Sequence, residues 1–109
     1  MLTPKEIDAL VQGIVARLRP QKVILFGSYA KGKATVRSDL DLLVIQETDL
    51  PARRRADALL PLLSRRLIPV DVHVYTPEEV AELGREERSF LRSVLDSGKV
   101  VYSAPDAAR

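Results

Sequence analysis

Apolar residues recur every three to four positions at the start of the chain, at Ile7, Leu10, Val11, Ile14 and Leu18, the spacing of one helical face. Thr3-Pro4-Lys5-Glu6 precedes them as a capping box with proline in the first turn, and Pro20 ends the run, so a helix over about residues 4–18 is predicted. The period then changes. Lys22–Phe26 is apolar on both faces, as in a short strand covered on both sides. Asp39–Gln46 reads as a second strand, with Leu40, Leu42 and Val44 on one face and Asp39 and Asp41 on the other. From Thr48 to about Leu67 an arginine- and leucine-rich stretch reads as a long helix, which Pro61 either kinks or splits in two.

Pro69–Tyr75 alternates cleanly, with Val70, Val72 and Val74 facing one way and Asp71, His73 and Tyr75 the other. Thr76-Pro77-Glu78-Glu79 repeats the capping logic of residues 3–6 and opens another helix. Gly84 divides it from a last helix, Glu86 to about Ser97, where Phe90, Leu91, Val94 and Leu95 make the apolar stripe and Gly98 caps the end. Lys99–Tyr102 is a final strand, and 103–109 reads as a flexible tail. This order predicts one α+β domain over residues 1–109, with a mixed, partly antiparallel sheet and helices mainly on one face.

Composition narrows the field. With 109 residues there is room for one core, and the 46% hydrophobic and 29% charged fractions are those of an ordinary soluble globular protein. No cysteine is present, which excludes disulfides and thiolate metal sites. The first residues lack the apolar run of a signal peptide, and no apolar stretch approaches membrane-spanning length, so a cytoplasmic location is expected. The net charge is only +2, and the basic clusters Arg53-Arg54-Arg55 and Arg65-Arg66 read as solvated helix faces; this argues against nucleic acid as the direct substrate.

Chemistry concentrates between the first two strands. Gly27 allows a tight turn or a close backbone approach, and Ser28 reads as the N-cap of a short helix that Gly32 ends. Free N–H groups there would favour a phosphate, with Lys31 and Lys33 near enough to neutralise it. Asp39 and Asp41 repel one another unless a cation lies between them, and hard oxygens suit Mg²⁺. Asp71 joins them if its strand is a neighbour; otherwise it is a solvated strand aspartate. His73 could act as a base or metal ligand, although a half-exposed strand histidine is the simpler reading. Tyr29 would stack on a base or simply pack.

The combination G-S-x-x-x-G, five residues, then S-D-x-D-L, carried by Gly27, Ser28, Gly32, Ser38, Asp39, Asp41 and Leu42, resembles the signature of the polymerase-beta-like nucleotidyltransferase superfamily and its minimal nucleotidyltransferases. The resemblance covers about residues 22–102 and implies a palm-like catalytic core. It implies that Asp39, Asp41 and Asp71 hold two Mg²⁺ ions, and that Gly27, Ser28, Lys31, Gly32 and Ser38 bind the nucleotide, with ATP as donor of AMP to a hydroxyl. Lys31 stands where members often have arginine, which keeps charge but loses the planar fork.

Small members of this family are commonly paired with a HEPN-domain toxin, so the resemblance implies an antitoxin that modifies such a partner. Two other readings stay open. One is a nucleotide-binding antitoxin that acts by complex formation alone. The other is an aminoglycoside-type enzyme, which would ordinarily need a further helical domain.

Overall fold

The computed structural model describes residues 1–64, 68–86 and 88–105. Helix α1 (Pro4–Leu18) starts from the predicted capping box: Thr3 accepts the Glu6 N–H, while the Glu6 carboxylate accepts that of Thr3. Strand β1 (Lys22–Phe26) leads into the single-turn helix α2 (Gly27–Ala30), and β2 (Leu40–Ile45) follows a turn at residues 35–38. After β2 come two 3₁₀ turns, Ala52–Arg54 and Asp57–Leu59, and one helical turn, α3 (Leu60–Leu63). Strand β3 (Val70–Tyr75), helices α4 (Pro77–Leu83) and α5 (Phe90–Ser97), and strand β4 (Lys99–Ser103) complete the order.

The sheet runs β3-β2-β1-β4 and is mixed, as expected. β1 is antiparallel to both β2 and β4, and β2 is parallel to β3. Parallel neighbours need a crossover. Here residues 46–69 provide it, and Leu59, Leu62 and Leu63 pack it into the same core as α1. That core lies against Val23 and Leu25 of β1, Leu40, Leu42 and Val44 of β2, and the three valines of β3. Burying each such side chain contributes about 1.5–3 kcal/mol, which explains why the alternation of β3 and of the start of β2 fixes their orientation.

The opposite face carries a smaller core, in which Leu91 and Val94 of α5 pack on Ile24, Leu43 and Ile45. Helices thus dominate one face and cover only the far part of the other. The near part, at the start of β2 and β3, holds the acids.

Three details depart from the sequence reading. The long helix from Thr48 is a chain of short turns, because the Arg55 side chain bonds backwards to the Leu50 carbonyl and outwards to Val74 and Glu79. Arg55 is therefore buried, not part of a solvated helix face. The last helix begins at Phe90 instead of Glu86, with Ser89 as its cap accepting the Arg92 N–H. The expectations for Arg65, Arg66 and Leu67, and for the tail beyond 105, lie outside the described residues. Among the described residues, no helix is long and apolar enough to cross a membrane.

Candidate active site

Gly27 starts the site. Its φ of +75° turns the chain sharply off the end of β1, and a Cβ there would overlap the Asp41 carboxylate. Both demands select glycine. Because this bend comes one residue before the serine, Phe26 occupies the capping position of α2 and makes no side-chain cap. Ser28 consequently lies within the turn, and its predicted role as N-cap is not realised. The first-turn N–H groups still lack helical partners, as at any helix start.

The turn ends as a Schellman motif. The Lys33 N–H donates to Ser28 O at 2.9 Å and the Gly32 N–H to Tyr29 O at 3.5 Å, with Gly32 at φ +68°. Lys31 and Lys33 are exposed beside it. Ser38 accepts the Thr35 N–H at 2.8 Å through Oγ and donates its own N–H to Thr35 O at 3.0 Å, so it ties the turn that delivers Asp39 to the sheet.

Asp41 pairs in register with Phe26 on one side and with Asp71 on the other. Residues opposite one another in a sheet share a face, so Asp41 and Asp71 stand side by side, with exposed Asp39 just ahead of the strand. Desolvation first, then the like charges of Asp71 and Asp39, raise the Asp41 carboxyl above its ordinary 3.8, while His73 pulls it down. The condition set by the sequence, that β2 and β3 be neighbours with their valines and leucines turned to a common helix layer, is met.

Among the described residues, no three Asp, Glu or His side chains close around one point as a ready-made metal cage. Like charges on adjacent strands do not close up without a cation. The donor set itself fits a hard divalent ion: Asp41 is a carboxylate held above its ordinary pKa beside two others, on an uncovered stretch of sheet, with a glycine kept bare next to it.

His73 pairs with Leu43, one row beyond the acids. Its ring lies 5.8 Å from that of Phe26 and 5.1 Å from that of Phe90, and the two phenylalanines meet edge to face at 5.4 Å. This half-buried aromatic wall was not legible in the sequence, since Phe90 arrives from a helix far along the chain. Tyr29 packs against the main core, and its hydroxyl accepts the Leu2 N–H at 3.0 Å. Arg55, expected from the sequence on a solvated helix face, instead donates from Nη1 to Glu79 Oε1 at 2.6 Å and to Val74 O at 3.3 Å, at the far end of β3.

The family model for the nucleotidyltransferase domain matches residues 7–101. The chain is 36% identical over 102 residues to a Methanocaldococcus jannaschii protein named "Putative protein adenylyltransferase MJ0604", spanning 90% of this chain and 96% of that one. Two solved structures share the fold. One is a toxin-antitoxin with AMP-PNP, at TM-score 0.55 and 19% identity, with 93% of this chain and 77% of that chain covered. The other is a point mutant of the toxin-antitoxin MntA-HpeT, at TM-score 0.54 and 22% identity, with 99% and 79% covered. A match that runs through both halves of the acidic site, from the first helix to the last strand, places this chain in the nucleotidyltransferase domain family.

Proposed function

We propose that this nucleotidyltransferase moves AMP from ATP to a hydroxyl of a partner protein, and that it serves as the antitoxin of a HEPN-type toxin pair. The observation that carries the chemistry is the side-by-side placement of Asp41 and Asp71 on an open sheet face, with Asp39 close enough to raise the Asp41 pKa. The name of the M. jannaschii relative and the toxin-antitoxin fold neighbours support the choice of a protein acceptor.

In this reading Asp39, Asp41 and Asp71 hold two Mg²⁺ ions. When bound, these ions neutralise the charge that develops on the phosphoryl and leaving oxygens. Gly27, Ser28 and Gly32 shape a turn on which the triphosphate rests, with Ser38 fixing the adjoining loop, and Lys31 supplies positive charge toward the pyrophosphate end. Asp71, nearest the sheet edge, accepts the proton of the incoming hydroxyl at a carboxylate oxygen. The hydroxyl oxygen forms a bond to the α-phosphorus, the bond from that phosphorus to the bridging oxygen breaks, and pyrophosphate leaves.

The test mixes the protein with ATP, Mg²⁺ and the product of the neighbouring gene, and weighs that product by mass spectrometry. An AMP-sized gain with the parent protein that is lost with Asp39→Ala or Asp41→Ala supports the reading. A stable complex without any gain, under conditions where nucleotide binding is verified, overturns transfer in favour of inhibition by binding alone.

A further inference from the structure

We infer that the free edge of β3 takes up an extended, hydroxyl-bearing segment of the acceptor as an added strand, which sets the hydroxyl residue beside Asp71; this rests on the transferase reading above. β3 is an outer strand, and its pairing with β2 runs without interruption from Leu40↔Val70 to Ile45↔Tyr75. The other outer strand, β4, has a register shift against Val23/Ile24, the kind of irregularity that blunts an edge. β3 has none.

Hydrogen-bonding direction alternates along a strand. The carbonyls of Pro69 and Tyr75 accept from Leu40 and Gln46, at 3.0 and 2.9 Å, and so point toward β2. Val70, Val72 and Val74 therefore turn their N–H and C=O groups outward. Arg55 takes the Val74 carbonyl and closes that end. Among the described residues, nothing bonds the outward groups of Val70 and Val72. These groups repeat at the spacing of a peptide backbone, and a polypeptide is the ligand whose own N–H and C=O groups match it.

The position of this edge gives the docking a purpose. Asp71 lies between Val70 and Val72, is exposed, and faces the site. A residue opposite it on an added strand, about 4.8 Å away, projects to the same face. A serine, threonine or tyrosine there presents its oxygen on the side where Asp71 takes the proton. Next along the edge, an open hollow of about 240 Å³, bounded by Val72, His73, Tyr75, Ala52 and Arg55, receives a following side chain.

Hydrogen–deuterium exchange of the unaltered protein, with and without the acceptor used in the transfer assay, reads docking separately from chemistry. The Val72 amide is expected to slow by at least about tenfold when the acceptor binds. Protection without an AMP gain upholds the docking and sinks the transferase reading. A gain without protection overturns the docking alone, and neither signal overturns both. As a second reading, Val72→Pro removes the outward N–H. For a variant that keeps its circular dichroism, the acceptor KM is expected to rise about tenfold with the ATP KM unchanged; an unchanged acceptor KM overturns the proposal.

Discussion

Asp41 illustrates how one carboxyl is set against its own surroundings. Its folded-state pKa is raised, so at intermediate pH the folded protein holds the proton more firmly than the unfolded chain does. Stability from this group is then fully present below the ordinary 3.8 and is lost as pH rises through the raised value. In metal-free buffer, Asp41→Asn is expected to be more stable than the parent near neutral pH and to show no gain well below 3.8, as read by urea denaturation across pH. Gly27→Ala addresses the same carboxylate from outside. The left-handed backbone alone costs about 1–2 kcal/mol, and the added methyl displaces the Asp41 side chain. Acceptor modification by this variant is expected to fall by at least about 100-fold, since a misplaced reacting group carries a penalty of that size.

Among the elements, those written in neighbouring residues were the legible ones. Both Thr-Pro-x-Glu capping boxes form as the sequence states, because cap and partner lie three positions apart. The alternation of β2 and β3 likewise gave the correct faces, and with them the grouping of Asp41 and Asp71. The crossover departs from the helix, kinked or split at Pro61, that its sequence predicts, because its shape depends on Arg55, whose partners Val74 and Glu79 are 19 and 24 positions away. Periodicity carries no trace of such a bond. The late start of α5 was readable in principle, since Ser89 stands just before the apolar run that opens at Phe90 and is a residue type favoured as a cap.

Arg55 also links the crossover to α4. Glu79 is held below its ordinary 4.5, first by the Thr76 backbone N–H and then by Arg55, so the stability it supplies is present above 4.5 and fades as pH falls through the lowered value. Arg55→Met leaves two carbonyls without their donor and is expected to cost about 1–3 kcal/mol, with faster amide exchange in residues 46–59 as the local sign.

At the scale of the whole molecule, the placement of the crossover decides which side of the sheet is available. Because the chain returns to β3 over the α1 face, the acidic end of the other face stays uncovered. Leu59, fully buried, anchors that return. Leu59→Ala is expected to lower the unfolding free energy by about 2–5 kcal/mol in denaturant. Divalent binding to the open face should act in the opposite direction. Each Mg²⁺ site filled at about 100 times its dissociation constant adds about 2.7 kcal/mol, and calorimetry should find a gain of at least this size in the parent but a smaller one in Asp41→Asn.

The bond from the Leu2 amide to the Tyr29 hydroxyl joins the front of the chain to the back of the glycine-serine bend. An environment-sensitive dye attached close to residue 2 would therefore sit behind the surface proposed to take the nucleotide. Its emission would offer a continuous optical signal of ligand arrival, in a protein with no tryptophan of its own to supply one.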